Sequence, residues 1–236
     1  MKYIIKNDIE DLKYKYLGSG KFGNCYLTKN NFVFKEFTSP CNKETEETLF
    51  YECNINNKSF MFPLELIYKN DKDYTNLIGY LKKYSDGTFI SDIDSNEKLE
   101  NILRSIIIFE KNIKEISKDK IRIFDLKNEN VLYSKDNMLE VIDTDFYKLD
   151  NSLNYRDIIK CNMMELEYLI STNLIKINPY CLSSKKLFSY YESTSDGKML
   201  VSDYLYEIIN EINKTIDYDI KSYSDFNDGI KLLLKK

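Results

Sequence analysis

The sequence predicts an α+β fold, with an antiparallel, β-rich first third followed by a mainly helical remainder. Three observations carry that expectation. Short alternating apolar runs separated by turn clusters fill residues 14–81, and the texture changes after Tyr84-Ser85-Asp86-Gly87. Beyond it, Leu99, Ile102, Leu103, Ile106, Phe109, Ile113 and Ile116 recur at intervals of three and four, the signature of a long amphipathic helix from Glu97 to Ser117.

The elements follow in order. Tyr14–Leu17 and Asn24–Thr28 read as strands on either side of a glycine cluster, and Lys29-Asn30-Asn31 turns the chain into a third strand, Phe32–Phe37. Asn42–Asn57 carries Leu49, Phe50 and Cys53 at helical spacing and is expected to form one helix. Leu64–Tyr68 and Asn76–Leu81 form a hairpin around a Lys69–Asp73 turn, and a connector lies near residues 80–87. Val131–Tyr133 and Leu139–Ile142 make a second hairpin around Ser134-Lys135-Asp136-Asn137. Helical patterning returns after Asn154, through Met163–Leu169 and Tyr204–Ile216, with no internal repeat.

Composition limits the chemistry. The 236 residues include no histidine and no tryptophan, so Ser-His-Asp or Cys-His catalysis and His-ligated zinc are closed to the chain. Carboxylates, lysines, amides and thiols remain. A net charge of −4 gives no electrostatic footprint for nucleic acid. Met1–Asp8 lacks the apolar core and cleavage site of a secretory leader, and the run Ile106–Phe109 is far too short to span a bilayer. A cytoplasmic protein without membrane contact is expected. Its five scattered cysteines, Cys25, Cys41, Cys53, Cys161 and Cys181, read as reduced.

Three motifs carry chemistry. Gly18-Ser19-Gly20-Lys21-Phe22-Gly23 fits G-x-G-x-x-G, and because a strand follows at once the context is a strand-loop-strand flap over phosphates, or equally a glycine-rich hairpin with no ligand. Lys35 sits in the apolar strand Phe32-Val33-Phe34-Lys35, where alternation points it inward beside Val33 and burial demands an anionic partner; a surface lysine on an edge strand is the other reading. Asp125-Leu126-Lys127-Asn128-Glu129-Asn130 is followed thirteen residues after Asn130 by Asp143, at the end of the apolar strand Leu139–Ile142.

Taken in this order, the motifs resemble the protein-kinase-like family over about residues 14 to 145, in a compact, divergent serine/threonine type. The resemblance implies a bilobal protein-kinase-like fold, with a small β-rich N-lobe at residues 1–82 and a helical C-lobe at 83–236. It implies ATP and Mg²⁺ as cofactors. Gly18, Gly20 and Gly23 would cover the ATP phosphates, Lys35 would hold the α- and β-phosphates, and Glu52, or else Glu47, would pair with Lys35. Asp125 would be the catalytic carboxylate and Lys127 would neutralise charge at the transferred phosphoryl. Asn130 and Asp143 would ligate Mg²⁺, with Asp145 in Asp145-Phe146-Tyr147 as the alternative register. Tyr80–Gly87 would be the hinge for adenine.

Departures from the family pattern are visible as well. Ile123-Phe124-Asp125 stands where the family has His-Arg-Asp, and Asp143-Thr144-Asp145 where it has Asp-Phe-Gly. No Ala-Pro-Glu occurs in the short stretch before Tyr155, and Asp157 is either the family's loop-bracing aspartate or an N-terminal helix charge. The implied activity is transfer of a γ-phosphoryl to a hydroxyl, on a protein or a small molecule. The alternative is a nucleotide-binding pseudokinase or partner-binding module, with the C-lobe helices as the surface for a protein partner.

Overall fold

A computed structural model describes residues 3–5, 9–71, 74–176, 184–215 and 219–234. The expected class holds: the protein is α+β. β2 (Lys15–Ser19), β3 (Gly23–Leu27), β4 (Phe32–Phe37), β5 (Glu65–Asp71) and β6 (Tyr74–Lys83) form an antiparallel sheet, and β1 (Tyr3–Ile5), which the sequence had not signalled, adds to β5 in parallel. The spatial order is β1-β5-β6-β4-β3-β2. Asn31 turns the chain between β3 and β4 with φ 63°, the left-handed conformation that asparagine tolerates better than most residues.

Strand alternation divides the side chains of this sheet. Phe34 and Ile67 pack with Leu12 on one face. On the other, Leu66, Leu77 and Tyr80 meet Leu49 and Cys53 of α1 (Lys43–Glu52). Asn42 caps that helix by accepting from the Thr45 N–H at 2.8 Å. Lys35 is the cross-strand neighbour of Tyr80, so the register puts it on the α1 face.

The rest is built on α2 (Leu99–Lys118), whose stripe Ile106, Phe109, Ile113 and Ile116 is fully buried. Around it lie α3 (Tyr155–Ile170), α4 (Lys185–Ser195), α5 (Val201–Thr215) and α6 (Tyr223–Leu234). Glu110 of α2 accepts from the Ser202 N–H at 3.0 Å and its hydroxyl at 2.6 Å, capping the start of α5 from a neighbouring helix. Two small strand groups complete the fold. β7 (Gly87–Phe89), β9 (Val131–Ser134) and β10 (Leu139–Val141) form one, and β8 (Ile121–Arg122) pairs with β11 (Lys148–Leu149) in the other. The segment after α1 docks on β10, with Met61 N–H donating to Val141 O at 2.9 Å and Val141 N–H to Ser59 O at 2.7 Å.

Several boundaries differ from the sequence reading. The helix expected over 42–57 stops at Glu52, and Phe50 is exposed. Lys69, Asn70 and Asp71, expected in a turn, continue β5, paired with Asn76, Thr75 and Tyr74. β6 runs on to Lys83, so the connector shrinks to residues 84–86. Strand pairing, which polar residues satisfy through backbone alone, extends both strands beyond their apolar signal. Cys25, Cys41, Cys53 and Cys161 are free thiols. Residues 1, 2 and 6–8 of the leader reading, the turn residues Lys72 and Asp73, Cys181, Ile216 and the terminal Lys235-Lys236 lie outside the described residues. Among those described, no helix is long and apolar enough to cross a membrane.

Candidate functional site

Lys35 is 3% exposed, and its Nζ lies 2.9 Å from both carboxylate oxygens of Asp143 and 2.5 Å from Oδ2 of Asp145. The Asp145 contact is an ion pair without hydrogen-bond alignment. Burial alone would lower the lysine's pKa, but the charges of Asp145 and Asp143 outweigh it and hold the ammonium above its ordinary value. For Asp143 the opposite balance holds: burial raises its pKa, and Lys35 followed by Lys82 overcomes this and keeps the carboxyl below the usual range. Asp145 also accepts from the Tyr80 hydroxyl at 2.6 Å. Both aspartate registers therefore converge on one lysine. Asp143 faces the same cavity as Asn130, while the Asp145 side chain is 3% exposed and lines a smaller neighbouring cavity beside α1.

The loop before β9 is held from two sides. Asp125 has φ 60°, a left-handed conformation that needs support in a residue other than glycine. Asn130 Nδ2 supplies it, donating to the Asp125 carbonyl at 2.9 Å and to its Oδ2 at 3.1 Å. Lys127 Nζ stands 2.9 Å from the same Oδ2, and that hydrogen bond raises the lysine's pKa. From below, fully buried Asn162 of α3 accepts from the Ile123 N–H at 2.7 Å and donates to Ile121 O and Ser117 Oγ. Burial raises the pKa of Glu165 on the same helix, with the nearby Leu126 N–H opposing it. Ile123, in the place expected for histidine, is buried in the main core, and Arg122 stacks on the Phe124 ring at 4.6 Å.

Gly18, Gly20, Lys35, Asp125, Lys127, Asn130 and Asp143 all line one cavity of about 610 Å³. Leu17, Val33 and Leu132 give it apolar lining, and Lys83, Tyr84 and Ser85 at the connector line it as well. A Cβ added at Gly18 or Gly20 would meet nothing within 4 Å, so both present bare backbone to open space.

Two expected members fall elsewhere. Gly23 does not line the cavity; it sits in β3, where a Cβ would stand 2.4 Å from the Glu36 carbonyl oxygen, so close strand packing is what demands glycine there. The Lys35–Glu52 ion pair is not formed. Glu52 is fully buried, its carboxyl accepts from Thr144 Oγ1 at 3.3 Å, and Oε1 has no partner among the described residues. Burial, then the charge of Asp145, pushes its pKa well above the ordinary carboxylate value, while the two aspartates take the lysine. Glu47 instead faces Lys43 on the exposed side of α1. Asp157 is an exposed first-turn residue that accepts from Asn154 Nδ2 at 2.5 Å, and the bracing role belongs to Asn162.

Asn162 and Glu165 are residues that sequence reasoning missed, and Tyr80 and Lys82 were read only as part of the Tyr80–Gly87 hinge. A polar residue directly before the apolar pattern of Met163–Leu169 was the one available signal for Asn162. For Lys82 it was its place in a strand, two residues from Tyr80.

Among the described residues no three His, Cys, Asp or Glu side chains are grouped to hold a metal ion. Asn130 and Asp143 do offer hard oxygens to the same cavity, and two such donors completed by phosphate and water oxygens match the chemistry of Mg²⁺. No protein-family model matches the chain, and no curated protein matches it.

Proposed function

We propose that the chain is a Mg²⁺- and nucleoside-triphosphate-dependent phosphotransferase of the protein-kinase-like type, with ATP the nucleotide that the resemblance implies. In this reading the sheet with α1 is the smaller lobe, the part built on α2 is the larger, and the cavity lies where the two meet. One observation carries it: residues far apart in sequence, including Lys35 and Asp143 at a separation of 108, line one cavity. Chance placement of glycine backbone, lysine, carboxylates and amide around one space of this size has no simpler chemical purpose than binding a phosphate chain.

The residues divide the work as follows. Backbone N–H groups at Gly18 and Gly20 approach the phosphates, and Lys35 binds their oxygens once its carboxylate partners yield. Asn130 and Asp143 would hold Mg²⁺, which when bound neutralises charge on the β- and γ-phosphate oxygens. Asp125 orients the acceptor hydroxyl and takes its proton, with Asn130 and Lys127 fixing its Oδ2. Lys127, half exposed, supplies positive charge where the transferred phosphoryl carries negative charge. Retention of a lysine there favours a protein serine or threonine as acceptor. The short path from Asp143 to α3 favours a small hydroxyl compound instead.

A second reading has its own support. Lys35 is held by two carboxylates, and a site kept in that state would bind nucleotide or a partner without turnover. The deciding experiment supplies γ-labelled ATP or GTP and Mg²⁺ with protein and small-hydroxyl acceptors to wild type, Asp125→Ala and Lys35→Ala. Transfer is expected in wild type and lowered at least about a hundredfold in Asp125→Ala. Equal transfer in all three proteins, or none, overturns the enzyme reading; nucleotide-dependent stabilisation without transfer selects the second.

A further inference from the structure

The cavity contains a second buried lysine that phosphoryl transfer does not use. Lys82 lies on β6 opposite Val33, just before the connector, and is only 4% exposed. Its Nζ donates to the backbone carbonyl of Ile142 and stands 5.8 Å from the centroid of the Tyr80 ring. Among the described residues it makes no ion pair, because the nearby carboxylates of Asp143 and Asp145 are held by Lys35. Burial, and then the positive charge of Lys35, pushes its pKa below the ordinary lysine value.

Such an amine is costly to bury unless its N–H groups find acceptors. An ammonium has three N–H donors and a neutral amine two, and Ile142 takes one. In either protonation state a donor is left over, in a side chain that lines the cavity.

With phosphates bound at Gly18, Gly20 and Lys35, the lining left for a planar base includes Val33, Leu132, Tyr84 and Ser85 of the connector, and Lys82. Resting on the reading of this cavity as a nucleoside-triphosphate site, we propose that Lys82 selects the base by donating to a 6-keto oxygen, so that guanine and hypoxanthine nucleotides are taken in preference to adenine nucleotides. A keto oxygen accepts from the amine whether it is charged or neutral. A 6-amino group sets donor against donor whenever the lysine is protonated. A site built to donate to one substituent discriminates strongly against an analogue that cannot accept.

Calorimetric titration of the full chain with ITP, GTP and ATP in Mg²⁺ tests this directly, since ITP and ATP differ only at the 6-position and its ring proton. Wild type is expected to bind ITP at least about tenfold more tightly than ATP. Lys82→Met, similar in volume, is expected to lose that preference by weakening ITP and GTP while sparing ATP. The comparison in wild type stands even if the variant fails to fold. Tighter binding of ATP than ITP by wild type overturns the base-selection role and leaves the nucleotide site intact. Equal loss of all three nucleotides in Lys82→Met also overturns it, assigning the lysine to the phosphates. Binding of none of them overturns both proposals.

Discussion

Asp125 is held in a left-handed conformation by Asn130, and the chain just before it is braced at Ile121 and Ile123 by buried Asn162 of α3. Replacing Asn162 by leucine strands the Ile123 N–H and the Ile121 carbonyl in the core, which is expected to cost about 2–3 kcal/mol in urea unfolding. A loss below about 0.5 kcal/mol would show that the loop needs no such brace. Glu52 gives a pH-dependent counterpart. Its folded pKa lies above the ordinary 4.5, so the folded state binds the proton more tightly. That contribution to stability is complete below the unfolded pKa and is lost as pH rises from there toward the folded value. Glu52→Gln is neutral at every pH and can still accept from Thr144. Its stability relative to wild type is therefore expected to climb above pH 4.5 by up to about 1.4 kcal/mol per pH unit, read as a growing difference in Tm. A difference that stays flat from pH 4.5 to 8 contradicts the raised pKa of the buried carboxyl. Residue identity made Lys35, Asp125, Asn130 and Asp143 legible in the sequence. The partners of Lys35 were not legible, since strand alternation reports which face a side chain takes and says nothing of which of three carboxylates lies nearest.

At the scale of elements, the sequence was read best where one face is strongly apolar. α2 matches its predicted span closely because Ile106, Phe109, Ile113 and Ile116 form an unbroken buried stripe. Ile113→Ala is expected to cost about 2–5 kcal/mol, whereas Ile107→Ala, on the exposed side of the same helix, should change stability by less than about 0.5 kcal/mol. Similar losses at both positions in thermal or urea unfolding would contradict the packing described here. The elements missed have weak local signals. β1, β8 and β11 are two or three residues long and exist through pairing, which single-strand patterns do not encode. α4 has a cap at Ser184 and a buried Leu187, but its tyrosines and serines dilute the helical period. Gly23 shows the limit of motif reading: the same glycine satisfies a phosphate-loop pattern and a strand that has no room for a Cβ.

For the whole molecule, a six-stranded sheet with α1 and a helical body around α2 together line the cavity. Phe22 at the tip of the glycine loop meets Phe146 edge-on at 4.9 Å, so a loop from the sheet closes on the segment that carries Asp143 and Asp145. The absence of histidine, which first excluded so much chemistry, is consistent with this arrangement, because positioning, a carboxylate and a hard cation suffice for phosphoryl transfer. The central claim is that this cavity takes a nucleoside triphosphate with Mg²⁺ through Lys35 and Asp143. Its most direct test is calorimetric titration of the full chain with GTP and ATP, with and without Mg²⁺, beside Lys35→Met and Asp143→Asn. The account predicts one saturable site that is strengthened by Mg²⁺ in wild type, weakened at least about tenfold in Lys35→Met, and no longer responsive to Mg²⁺ in Asp143→Asn. No binding of either nucleotide, or binding unaffected by Mg²⁺ and by both substitutions, would contradict it.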